Sequence, residues 1–161
     1  MLKYLVVWLM VFTIYIVFTG SIAPLTLITG LIVSIVLSIT TAKYLVEDEE
    51  KLKQPIRLLY LVYYFLKYIT VIELRAHMDV VKRIITMDIK PGIVRVPVAS
   101  VSRYARLLVM SSITNTPGTV VVDEKNDYFY VNWIYVSTTD PLKARESISL
   151  EFERFASRIF D

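Results

Sequence analysis

The sequence predicts a membrane α-helical hairpin, a long amphipathic helix and a small α+β domain of order β-α-β-β-α. Three observations carry this. Tyr4 to Ala42 is a stretch of 39 residues without Asp, Glu, Lys, Arg or His. Apolar residues then recur at helical spacing from Pro55 to Met87. From Asp88 the pattern switches to short alternating runs separated by turn residues. The implied segments are 1–45 (hairpin), 46–87 (linker and amphipathic helix) and 88–161 (α+β domain). With 55% hydrophobic and 20% charged residues the chain is not disordered. With no cysteine it is neither a disulfide scaffold nor a thiolate metal site.

The uncharged stretch is too long for one span. A single helix of this length would measure about 58 Å, against about 30 Å of hydrocarbon. Two spans of about 18 residues with a tight turn fit. Gly20-Ser21-Ile22-Ala23-Pro24 breaks the pattern near the middle, and Pro24 suits the first turn of a second helix. The spans are expected at 5–19 and 25–42, with Tyr4, Trp8 and Tyr44 as interface aromatics. Lys3 and the Ser21-Ile22-Ala23 triplet also fit a signal peptide, but a second apolar segment follows at once and Pro24 would sit directly after the cut. An intact hairpin is therefore expected. Lys3, Lys43, Lys51, Lys53 and Arg57 flank its outer ends and the turn has no basic residue, so both ends should face the cytoplasm.

Thr26, Gly30, Ser34, Ser38 and Ala42 recur every fourth residue. Small residues on one helical face let another helix approach closely, which marks a packing seam toward the first span or another subunit. The same stretch excludes a transport path of its own. An ion or proton route needs an acid, Lys or His within the membrane, and this hairpin has none.

In the middle segment Leu58, Leu61, Val62, Phe65, Ile69 and Ile72 form one helical face, with Tyr60, Tyr63, Tyr64 and Tyr68 adding aromatic bulk. A third span over about 56–72 would put Lys67 in the membrane, at about 2.5–3.5 kcal/mol if central. An interfacial helix avoids that and uses the tyrosines as a belt. His77 lacks a second His or a Cys to complete a metal set and is expected at the surface.

In the last segment 93–98 alternates like a strand, with Pro97 at an edge. A helix over 100–113 carries Val101, Tyr104, Leu107, Leu108 and Ile113. Thr116-Pro117-Gly118-Thr119 is a turn, and strands at 119–123 and 128–136 flank the polar turn Glu124 to Asp127. Asp140 caps a last helix that begins at Pro141 and runs to about Ile159, with Leu142, Ile148, Leu150, Phe152, Phe155 and Ile159 as its apolar set. No nucleotide loop, nucleophile elbow or histidine–carboxylate cluster is present, so no catalytic set, cofactor site or metal site is expected. Asp123, Glu124 and Asp127 read as a solvated turn. The scattered Arg103, Arg106, Lys143 and Arg145 lack the aromatic interleaving of a nucleic-acid surface.

Two blocks in this domain carry a resemblance. Ile89-Lys90-Pro91-Gly92-Ile93-Val94, followed by Val96-Pro97, is similar to the segment leading into the first strand of the MnhE-like family, one of the constituents of Mrp-type multisubunit monovalent cation/proton antiporters. Ile113 to Thr119 resembles that family's I-T-x-T-P-G-T signature, with Asn115 where leucine is usual. The order of hairpin, mixed helix and α+β domain matches along essentially the whole chain. The resemblance implies a non-catalytic subunit of an assembly exchanging protons for sodium or other monovalent cations. The host is either a stand-alone antiporter or the Mrp-like module of a membrane-bound hydrogenase or related ferredoxin-driven complex. Its partners would be the other membrane subunits, the lipid bilayer and, in the second case, redox subunits. The turns at Lys90, Pro91 and Gly92 and at Thr116, Pro117, Gly118 and Thr119 are expected to shape the domain rather than bind a ligand. A membrane-anchored sensor, whose domain binds a ligand or partner, is the alternative.

Overall fold

The computed structural model describes residues 1–100 and 102–161, in two compact units, Met1–Pro55 and Ile56–Asp161. Val101, assigned above to a helical apolar set, lies outside the described residues.

The first unit is a helical hairpin. Helix α1 (Leu2–Thr19) ends where Gly20 turns left-handed at φ 61°, a conformation glycine adopts without steric cost. Helix α2 (Pro24–Leu45) starts on Pro24, whose missing N–H is no loss in a first turn. Both extend a few residues beyond the expected 5–19 and 25–42. A short helix, α3 (Glu49–Leu52), follows, capped by the Asp48 carboxylate. Glu49 accepts from Lys3 Nζ at 3.4 Å, tying α3 to the start of α1. Both hairpin helices are long and apolar enough to cross a membrane, and most of their large aliphatic side chains face outward.

The second unit opens with a continuous helical rod. Helix α4 (Pro55–Lys67) passes through a π-helical turn (Tyr68–Ile72) into α5 (Glu73–Thr86). By length and composition this rod too could cross a membrane. The remaining elements are β1 (Gly92–Pro97), α6 (Arg103–Asn115), β2 (Thr119–Lys125), β3 (Tyr128–Trp133), α7 (Pro141–Ile148) and α8 (Leu150–Phe160). The sheet is antiparallel in the order β1-β3-β2. Pro97 thus lies on an edge strand, where no ladder hydrogen bond is forfeited. Asn126 and Asp127 at φ 52° and 59° form the two-residue hairpin turn that best matches strand twist.

The core is built from alternate residues of the strands (Val94, Val96, Phe129, Val131) and one face each of α6, α7 and α8 (Val109, Ile113, Ile148, Phe152, Phe155, Ile159). The expected single C-terminal helix is two. Ser149 leaves helical geometry at φ −118°, and its hydroxyl donates to Glu153 Oε1 at 2.5 Å, a local alternative to continuing the helix. The observed order is therefore β-α-β-β-α-α. Leu107 and Leu142, expected inside, are exposed.

The amphipathic rod reverses one expectation. The face packed on the core is Tyr60, Leu61, Tyr64, Tyr68 and Ile72. Leu58, Val62, Phe65 and Ile69, read above with Leu61 and Ile72 as one helical face, are each half or more exposed. Tyr64 and Tyr68 therefore do not form a belt. Their rings pack at a tilt against Phe155 and Phe152, with centroids 5.2 and 6.2 Å apart. The reason is chemical: a tyrosine ring is apolar enough for a core when its hydroxyl finds a partner. Ser112 Oγ supplies one for Tyr64, and Thr116 Oγ1, at 3.3 Å, one for Tyr68.

Candidate functional site: the hairpin seam and the Pro-Gly junction

In α2 the buried residues are Gly30, Ser34, Ser38 and Ala42, one every helical turn. Thr26, the first of the series, is half-buried and its hydroxyl donates to Ser21 Oγ at 3.4 Å. The series faces α1. At Gly30 the two helices touch so closely that a Cβ would lie 2.7 Å from Cδ1 of Tyr15 and 3.4 Å from Cε2 of Phe12. Tyr15 is held there by a 2.9 Å hydrogen bond between its hydroxyl and Thr29 Oγ1. Near the other end Ser38 Oγ donates to the Tyr4 carbonyl at 2.6 Å, across the helix pair. Ser34 Oγ bonds back to Leu31 O at 3.0 Å, so its polar atom is satisfied within its own helix. Small side chains and paired hydroxyls are what close helix approach in lipid requires. Trp8 stacks on Phe12, 5.7 Å between centroids.

The two Pro-Gly blocks lie before β1 and after α6 in the chain but meet in space. Both grip Ile134, just past the end of β3. Lys90 N–H donates to Ile134 O at 3.1 Å, and Ile134 N–H donates to Gly118 O at 2.9 Å. Val136 N–H returns to Lys90 O at 2.8 Å. Gly118 sits at φ 95°, and a Cβ there would lie 3.1 Å from Ile134 Cγ2 and 3.5 Å from Val80 Cγ2 of α5. Gly92 is similarly close to Val136, at 3.1 Å. Thr119 Oγ1 donates to Ile113 O and Thr116 Oγ1 to Ser112 O, both at 2.7 Å, so the hydroxyls fasten the turn to the end of α6. Pro91 and Pro117 set the bends by fixing φ. Lys90 also extends over the Tyr135 ring, 5.3 Å from its centroid, beside the Arg83 guanidinium at 3.9 Å.

Several other charged groups that the sequence singles out are engaged in structural pairs. Arg106 bridges Glu124 at 2.9 Å and Asp127 at 2.7 Å, so a guanidinium of the same chain stands against the acidic turn. These two carboxylates hold the Arg106 guanidinium above its ordinary pKa. Lys67 pairs with Glu151 at 2.6 Å and covers Phe155. His77 is exposed, its Nδ1 2.8 Å from the Glu73 carbonyl. Sequence reading missed one pair. Arg145 makes a two-pronged contact, 2.7 to 3.2 Å, with Glu153, which is 4% exposed. A pair that closes across a helix break gives no local signal. Burial holds Tyr64 and Tyr68 above the ordinary phenol range, and for Tyr68, with a hydrogen bond to Glu73 adding, the value is pushed up to about 12.

An uncharged two-helix hairpin joined to an amphipathic rod and a small α+β domain, the latter fastened by two Pro-Gly turns, defines a membrane protein with no Asp, Glu, Lys, Arg or His from Tyr4 to Ala42. The family profile described as Na+/H+ ion antiporter subunit matches residues 8–159, and the chain belongs to that family. The resemblance read from the two blocks is borne out. Among solved structures, a chain of the membrane-bound sulfane sulfur reductase, an archaeal respiratory membrane complex, is 28% identical with a TM-score of 0.84, covering 98% of this chain and 99% of that one. A chain of the Mrp complex from Dietzia sp. DQ12-45-1b is 24% identical with a TM-score of 0.45, covering 67% of this chain and 99% of that one. No curated protein matches.

Proposed function

We propose that the chain is a non-catalytic accessory subunit of a multisubunit membrane assembly that exchanges protons for sodium or another monovalent cation. The observation that carries this is the silence from Tyr4 to Ala42 in a member of an antiporter subunit family. A translocated ion or proton needs a titratable or coordinating group at membrane depth, and the hairpin offers only hydroxyls, those of its seam engaged in hydrogen bonds. The hairpin (1–45) acts as a packed anchor through Thr26, Gly30, Ser34, Ser38 and Ala42. The segment 46–87 connects it to the domain at 88–161, whose Pro-Gly turns are structural. Basic residues at both outer ends of the hairpin support a cytoplasmic N-terminus and a cytoplasmic domain. The full-length likeness to a chain of a respiratory complex supports a host in which the antiporter-like module adjoins redox subunits.

The test is the assembly purified from cells carrying Gly30→Leu with Ser34→Leu. The expected result is loss of this chain and of intact assembly, with exchange per remaining intact assembly unchanged. An intact assembly of full mass that has lost exchange would overturn the accessory role.

A further inference from the structure

The outward face of the α4–α5 rod carries a long run of exposed apolar side chains. Leu58, Val62, Phe65 and Ile69 are spaced by three or four residues and exposed, and Leu66 beside Phe65 is exposed too. So are Leu74, Met78, Val81 and Ile85. Between Ile69 and Leu74 the step is five. In an uninterrupted α-helix a five-residue step would turn Leu74 about 140° away from Ile69, splitting the stripe in two. The π-helical turn at Tyr68–Ile72 falls on that step, and its i to i+5 geometry stacks residues five apart. The two halves thus join into one apolar stripe along the rod.

The opposite face is occupied along the same length. Tyr60, Tyr64, Tyr68 and Ile72 pack into the core, Lys67 pairs with Glu151, and Val80 and Arg83 reach Gly118 and Tyr135. Arg154 and Arg158 of α8 line a cleft with Lys67, Glu146 and Glu151 beside α4. A rod with a charged, water-compatible domain along one side cannot be surrounded by lipid, so it does not serve as a third span. It can lie along a membrane. Arg75 and Lys82, exposed and without an ion pair among the described residues, flank the stripe where long cationic side chains reach lipid phosphates.

We propose that this stripe beds in the headgroup–acyl boundary of an anionic leaflet and holds the α+β domain flat on the membrane, the π turn serving to make one lipid-facing surface of two. The inference rests on the membrane-anchored reading above. Because the chain has no cysteine, single probes are unambiguous. Val62→Cys, Ile69→Cys, Met78→Cys, Ile85→Cys and, in the hairpin, Ile32→Cys are spin-labelled and reassembled with the other subunits in vesicles containing phosphatidylglycerol. Depth is read from collisions with oxygen and a polar nickel chelate. The four rod labels are expected at one shallow depth, within about 5 Å of each other and about 5–10 Å below the phosphates. A span would instead spread Val62 and Ile85 by about 35 Å, and would overturn the proposal. Labels shielded from both collision agents would also overturn it, by showing that a neighbouring subunit covers the stripe. Replacing the anionic lipid, or Arg75→Gln with Lys82→Gln, should move the rod labels outward, and unchanged depths would overturn the anionic preference. A water-exposed Ile32 label would instead refute the anchor reading itself.

Discussion

Gly30→Leu should loosen the hairpin by about 3 kcal/mol. The glycine is where α1 and α2 come closest, and even a Cβ would stand 2.7 Å from Tyr15 Cδ1 and 3.0 Å from Cε1. Carbon atoms rest at about 3.5–4.0 Å, so the ring must retreat by about 1 Å for a methyl and further for leucine. The ring cannot pivot freely, because the Tyr15 hydroxyl is bonded to Thr29 at 2.9 Å. Overpacking of this kind costs about 3 kcal/mol at its upper range, and loss of an interhelical hydrogen bond in a membrane adds about 0.6. The better helix propensity of leucine returns about 0.8. The assay is reversible unfolding of the full chain in mixed dodecylmaltoside–dodecylsulfate micelles. It is followed by energy transfer between probes on Leu5→Cys and Leu45→Cys, which separate when the helices part. Tyr15→Ala should make room for the leucine, so the double variant should recover at least about 1 kcal/mol of the loss. A Gly30→Leu variant within about 0.5 kcal/mol of the parent, or a double variant no better than the single one, would refute the close-packing argument.

Three further outcomes concern the second unit. Glu153→Ala leaves Arg145 without its buried carboxylate and Ser149 with only the longer contact to the Arg145 carbonyl, and should cost about 3 kcal/mol, the lower end for a broken buried pair because Arg145 is partly exposed; thermal unfolding of the full chain followed by circular dichroism measures it. Gly118→Ala puts a Cβ at positive φ and 3.1 Å from Ile134, and should cost about 1–3 kcal/mol in the same measurement. Tyr68 keeps its proton in the folded chain up to about 12, whereas an unfolded tyrosine loses it near the ordinary value of 10. The unfolded state therefore binds fewer protons in that window, so stability is full below pH 10 and falls as pH rises toward 12. Tyr68→Phe should flatten that fall, and an unchanged alkaline profile would show that Tyr68 does not contribute to it.

How much of this was legible in sequence depended on whether the cause was local. Gly20 and Pro24 act on their own backbone, and the hairpin turn stands where they are. The small-residue period of α2 is a property of one helix, and Gly30, Ser34, Ser38 and Ala42 lie together on its buried face. What they face was not legible, because the size of Tyr15 matters only once α1 folds back. In the rod, the tyrosines read as an interface belt, but Tyr64 and Tyr68 pack into the core, because the partners of their hydroxyls, Ser112 and Thr116, lie on a distant helix. The π turn depends on one extra residue of helical phase, which no residue type announces. The break at Ser149 required knowing that Glu153 is buried beneath it. The Pro-Gly blocks were visible as bends, but their convergence on Ile134 comes from strand register, with Gly92 and Thr119 both paired to Trp133.

In the accessory role proposed above, this chain supports ion exchange without carrying the ion. The most direct measurement places the full chain alone, and separately the complete assembly, in vesicles with a trapped pH indicator, and imposes a sodium gradient. Sodium-driven proton movement in vesicles holding the assembly, with the chain alone at the level of empty vesicles, is the predicted result. A sodium-dependent proton flux through the chain alone would contradict it.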